Sequence, residues 1–260
     1  MRQYVTLLQK EFAEAWAGFK WIWVPLVFML LGISDPIINY FMKDILAAVG
    51  NVPKGFEEIF PTFTSFDILA ATTGQFQSVG LIIIVAIFAA SISRERQNGN
   101  ATLLYVRPLS FFSYFLSKWT VAMCLISLSV GLGYGASMYY TAILYGKVGI
   151  APFLGMVATY CIWTLFAATF TLAMSASFRT AIALTISIII FPIGVIITSI
   201  IGDFWTYAPW QLPHYAISIL NGRVDWPNYF ITLGITVATL IASLLLGIWM
   251  SKKQAATTKI

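Results

Sequence analysis

GLIIIVAIFAASISRERQNGN, residues 80–100, runs from an unbroken apolar stretch into three consecutive charges, Arg94, Glu95 and Arg96. An apolar run that stops so abruptly marks the point where a chain leaves the hydrocarbon of a membrane. A spanning helix needs about 20 mostly apolar residues, because each rises about 1.5 Å against a core about 30 Å thick. Working outward on that rule gives six spans, at 21–42, 74–93, 112–142, 152–176, 180–201 and 229–250. Composition agrees. Of the 260 residues, 59% are apolar and only 10% charged, whereas soluble domains carry about a quarter charged residues. The chain reads as an all-α integral membrane protein, a single transmembrane unit over 1–260 with no sizeable soluble domain.

The charges orient it. With both termini inside, eleven Lys/Arg fall on the cytoplasmic side and only Lys43, Lys54, Lys147 and Arg223 outside. Basic residues of short loops stay in the cytoplasm, so the expected layout is N-in, C-in. The net charge of +5 follows from this topology, and no basic helix or motif points to nucleic acid. Cys124 and Cys161 lie inside apolar runs and read as reduced, small hydrophobes. The apolar stretch from Trp21 exceeds a signal-peptide core and has no small-residue cleavage site after it, so it is expected to stay as an anchor.

Ahead of span 1, residues 1–20 place Val5, Leu8, Phe12, Trp16 and Phe19 at steps of three and four. That is one apolar stripe of a helix, with Arg2, Lys10, Glu11, Glu14 and Lys20 largely off it. Such a helix lies in the interface plane; the plainer alternative is a cytoplasmic extension of span 1. On the outer side, 44–73 is irregular, and 202–228 is rich in Trp, Tyr and Pro. The latter is too apolar for a free loop and too broken for a span. It is expected to form short helices dipping into the outer leaflet before span 6.

The segment 92–110 opens with Arg94, Glu95 and Arg96, turns at Gly99, and continues through Ala101, Leu103, Leu104, Tyr105 and Val106 to Arg107 and Pro108. Helix formers after the charges predict a short amphipathic helix, which Pro108 ends by disfavouring helical geometry at Arg107. A stiff, charged cytoplasmic helix between two spans implies something to dock against.

These residues resemble the loop between spans 2 and 3 of the ABC-2 type permeases, the membrane subunits of one class of ATP-binding-cassette exporters. Glu95 and Arg96 match the family's Glu-Arg pair, Gly99 its glycine, Leu103 and Leu104 its apolar turn, Arg107 and Pro108 its closing pair, and Lys118 its later lysine. Asn100 stands where the family has Thr, and Thr102 where it has an acid. The resemblance implies a coupling helix seated in a separate ATPase subunit, present in two copies. It implies a second permease copy, identical or sibling, with spans 2 and 5 at the dimer seam. Arg94, Arg96 and Arg107 would pair with partner carboxylates, and Leu103, Leu104 and Tyr105 would supply buried contact. The chain has no G-x-x-x-x-G-K-[ST] phosphate loop, so ATP and Mg are expected on the partner and no cofactor on this chain. The cargo is expected to be amphipathic or hydrophobic, a drug or antimicrobial peptide ahead of a lipid-linked glycan.

Other residues carry competing readings. Asp35 is the only acid within an expected span. It reads either as a substrate or cation contact or as a hydrated group near the outer edge. Gly131, Gly133, Gly135 and Ser137 give span 3 small residues for close packing, with Gly131 and Gly135 as the minority candidates for a translocation-path lining. Pro192 and Gly194 mark a kink in span 5. His214, the one histidine, has no Cys or acid cluster beside it to make a metal site. A rival reading is a six-span, rhomboid-like intramembrane serine protease using Ser137 and His214; a third is a permease-like sensor that transports nothing.

Overall fold

The computed structural model describes residues 2–49, 63–98, 110–202 and 204–257. Among these, every regular element is helical. The elements are α1 (Arg2–Ala17), α2 (Lys20–Tyr40), α3 (Met42–Val49), α4 (Ser65–Gln75), a π-helical turn (Phe76–Gly80), α5 (Leu81–Ala89) and α6 (Ser93–Gln97). After them come α7 (Phe111–Leu144), α8 (Ile150–Ser177), α9 (Thr180–Ile201), a 3₁₀ turn (Pro209–Gln211), α10 (Leu212–Leu220) and α11 (Trp226–Thr257). Six helical stretches are long and apolar enough to cross a membrane: Lys20–Tyr40, Ser65–Gln97, Phe111–Leu144, Ile150–Ser177, Thr180–Ile201 and Trp226–Gln254.

Span 2 starts nearer Ser65 than the expected residue 74. Its first turns carry Asp67, Thr72 and Thr73, which read as polar but are locally satisfied. Thr64 and Asp67 form a reciprocal capping box, and the Thr72 and Thr73 hydroxyls donate to the carbonyls of Ile68 and Leu69. Polarity hidden in this way costs the membrane little. The widened turn at Phe76–Gly80 interrupts the span where Phe76 wedges edge-on between Phe28 and Tyr134, with centroids 5.1 and 4.9 Å away.

The bundle has two cores. In the first, α2 lies along α7. The backbones meet at Gly32 and Gly133, where a Cβ on Gly32 would enter the envelope of the Gly133 carbonyl and a Cβ on Gly133 would sit 2.8 Å from the Phe28 carbonyl oxygen. In the second, α8 is central, touching α5, α7, α9, α10 and α11. Trp163, Phe166 and Phe170 of α8 gather around Phe191 of α9, and Trp210 closes the group. The indole of Trp210 fills the space above Gly194 and donates to the Phe191 carbonyl at 3.2 Å. Between spans 5 and 6 the chain forms the 3₁₀ turn and α10, whose Leu212, Ala216 and Leu220 are buried.

The small residues of span 3 do not share a face. Gly133 and Ser137 point inward, while Gly131 and Gly135 have open space above them. Steps of two in a helix of 3.6 residues per turn rotate by about 200°, so alternate residues must separate.

This division predicts different tolerances. Gly133→Val forces α2 from α7 and lowers the thermal unfolding midpoint sharply, by the about 1–3 kcal/mol or more that overpacking costs. Gly131→Ala and Gly135→Ala change stability by no more than about 0.5 kcal/mol. Equal sensitivity at all three positions, read by thermal unfolding in detergent, would contradict the packing described.

Candidate functional site

The charged side chains of α1, α6 and α7 converge on Lys118. This lysine lies on the third span, and its side chain is 2% exposed. Its Nζ donates to both Glu11 oxygens at 2.9 Å and to Glu95 Oε1 at 3.0 Å. Glu95 is held twice more: Lys10 Nζ donates to it at 2.7 Å, and the Tyr114 hydroxyl at 2.6 Å. Lys10 also reaches Glu11 at 3.2 Å and the solvent-facing Glu14 at 3.4 Å.

Each position follows from local structure. On α1 the residues Leu7, Glu11 and Ala15 recur at steps of four and form the buried face against α7. The stripe of Val5, Phe12, Trp16 and Phe19 is left exposed on the other side. Phe19 adopts a left-handed conformation, φ 53°, which turns the chain from α1 into α2. Phe12 then stacks on Trp21 with centroids 5.1 Å apart. The buried charges need one another: an isolated ion in an apolar interior is very costly, whereas a fully bonded group is tolerated. At Lys10, outside the spans, burial opposes the ammonium, but the bond to Glu95 and the fields of Glu11 and Glu95 outweigh it. The lysine therefore titrates above its ordinary range. A raised value means that its contribution is complete at neutral pH and is lost only as pH climbs through that raised value.

The carboxylates of Glu11, Glu14 and Glu95 approach closely enough to bracket a metal ion. Two ammonium groups, Lys10 and Lys118, already bond to these three acids, and the trio is read as part of an ionic clamp.

A second anchor lies next to the first. Arg96 donates to the carbonyls of Ser175, Ala176 and Phe178 at the end of α8. Ser175 Oγ in turn accepts the backbone N–H groups of Ile92 and Ser93 at 3.1 and 3.0 Å. Free carbonyls end every helix and free N–H groups begin one; here α6 and α8 satisfy each other. Gln254 of α11 adds a bond to the Ser177 carbonyl at 3.0 Å.

Of the residues singled out from sequence, Glu95, Arg96 and Lys118 meet here, each engaged by partners within the chain. Arg94 is exposed on the same turn. Gly99, Leu103, Leu104, Arg107 and Pro108 lie outside the described residues. Arg96 donates to the α8 carbonyls, and Lys118, counted with the cytoplasmic cations, is a buried cation within the span. Glu11 and Lys10 were not singled out. The available signal was Lys118 itself, an ammonium inside FFSYFLSKWTVAM, which requires an acid nearby.

Asp35 sits apart. With the Gln75 amide nitrogen turned toward it, that nitrogen donates to Asp35 Oδ2 at 3.0 Å and to the Leu31 carbonyl at 2.6 Å. Asp35 does not line the groove between spans 2 and 5, and neither do Gly131 and Gly135. The protease pairing is not formed: Ser137 is fully buried with its hydroxyl 2.8 Å from that of Thr72, while His214 is exposed on α10.

Lys118→Met removes the buried cation from Glu11 and Glu95, leaving them the half-exposed Lys10, and destabilises by about 3–5 kcal/mol, whereas replacing Lys118, Glu11 and Glu95 together by Met, Leu and Leu recovers most of that loss. Thermal unfolding in detergent reads both. An unchanged midpoint in the single variant would remove the clamp's structural role.

No family model matches the chain. A protein of Bacillus subtilis (strain 168), described as the uncharacterized transmembrane protein YxlG, is 31% identical over 179 residues, covering 69% of this chain and 69% of the relative. Together with the six apolar helices, that identity places the chain: it is a multi-pass membrane protein belonging to the family of YxlG.

Proposed function

We propose that the chain is the membrane subunit of an ABC exporter of the ABC-2 type, driven by a separate ATPase that grips the segment 92–108. The observation that carries the reading is the double anchoring of that segment's first arm. Glu95 is bonded to span 3 through Lys118 and to α1 through Lys10, and Arg96 is bonded to the end of span 4. A push on the arm is therefore delivered to three elements at once. In this reading Leu103, Leu104, Arg107 and Pro108 supply the contacts to the ATPase. Both termini and the arm face the cytoplasm of a prokaryote, as the basic residues argue, and α1 lies in the inner interface with its aromatic stripe toward lipid. ATP and Mg belong to the partner.

A second copy, identical or sibling, covers the seam between spans 2 and 5. What supports this is a cavity of about 420 Å³ there, walled by Leu81, Ile82, Val85, Ile188 and Ile196. The hydroxyl of Ser187, fully buried in that wall, has no hydrogen-bond partner. An apolar seam of this kind suits an amphipathic or hydrophobic cargo.

The test is purification in mild detergent with the native neighbours. The wild-type chain is expected to bring down a phosphate-loop ATPase, and Leu103→Asp with Leu104→Asp to lose it at unchanged membrane insertion. Cysteine placed at Asn98 is expected to be labelled only from the cytoplasmic side. Labelling from outside in intact cells, or an ATPase retained by the double variant, would overturn the assignment.

A further inference from the structure

Between α1 and spans 2 and 3 lies a cavity of about 630 Å³. Its back wall is the clamp, whose lysines and glutamates are occupied with one another. Two further cations line it, Lys20 and Arg94. Neither forms a salt bridge among the described residues. Lys20 opens α2, whose N-terminus has no side-chain cap and no acid in its first turn, so the helix field there also favours an anion. Ser91 and Asn98 add polar groups, and the rest of the wall is largely apolar, with Ile87 and Ala90 from span 2 and Val121 and Leu125 from span 3. One cavity thus offers free positive charge at its mouth and hydrocarbon within. Its depth follows from α1, whose exposed Trp16 and Phe19 belong at the level of lipid headgroups.

From these features we infer that the cavity binds an anionic membrane phospholipid. The phosphate is met by Lys20 and Arg94, and an acyl chain lies along Ile87, Ala90, Val121 and Leu125. A soluble phosphate would have no use for the apolar wall, and a zwitterionic headgroup would set its own cation beside Lys20. Glu14, the one exposed acid at the rim, is drawn toward Lys10, which leaves the side of Lys20 and Arg94 open to an anion. Basic pockets between spans on a cytoplasmic face take anionic headgroups in this manner. The site stands whether or not the chain works with an ATPase.

The full chain, purified in detergent, would be titrated with phosphatidylglycerol or phosphatidylcholine and bound lipid counted by native mass spectrometry. Wild type is expected to prefer phosphatidylglycerol, and Lys20→Gln and Arg94→Gln each to cut that preference about fivefold, the effect of one basic residue at an anionic surface. Neither side chain forms a salt bridge among the described residues, so the unfolding midpoint in phosphatidylcholine is expected to stay unchanged, which separates lost binding from lost fold. Ala90→Leu, which fills the crevice, is expected to release the lipid with both cations in place. Equal binding of the two lipids by wild type would overturn the inference, as would a preference that survives both Gln substitutions. Full displacement of phosphatidylglycerol by millimolar inorganic phosphate would reassign the cavity to a free anion and would equally overturn it.

Discussion

An ammonium buried in a membrane protein cannot be left without a counter-charge, and that constraint on Lys118 organises the end of the bundle where α1, α6 and α7 meet. Its two acids come from sequence positions far apart, Glu11 on the helix before span 1 and Glu95 on α6 at the end of span 2. Replacing such a triad with apolar residues need not lose stability, so what the charges contribute is position. They admit one register of α1 against α7, and one placement of the arm that leaves span 2. A greasy contact of the same area would tolerate sliding; three directional bonds on one nitrogen do not.

Much of this fold was legible. Spans 1, 3, 4 and 5 lie within a few residues of their expected ends, because length and hydropathy alone decide whether a helix crosses a bilayer. The stripe on α1 was also legible, since Val5, Phe12 and Trp16 are spaced for one face and that face is exposed. What misled was polarity satisfied locally. Thr72 and Thr73 conceal their hydroxyls against the preceding turn, so span 2 read as shorter than it is.

The candidate site was half legible. Glu95, Arg96 and Lys118 stood out by charge and by their likeness to a known loop, but nothing in a single chain names Glu11 as the partner of a lysine 107 positions later. Nor does it show that Arg96 is spent on carbonyls of α8. A charge is visible in sequence; the direction in which it points is a property of packing. The glycines of span 3 make the same point more simply, since spacing of two looks like a stripe on paper and is two opposite faces on a helix.

The central helix α8 deserves a mechanical reading. From Met156 to Ser177 it has neither glycine nor proline. One end is tied to the arm by Arg96, and toward the other Gly155 lies against Ile219 of α10, with Thr159 bonded to Tyr229 at 3.0 Å. A shaft this stiff, fastened to a neighbouring element near each end, would carry a displacement at one surface of the bilayer to the other. Tilting it as a lever would shift α10 without any relay of rearranged side chains in between.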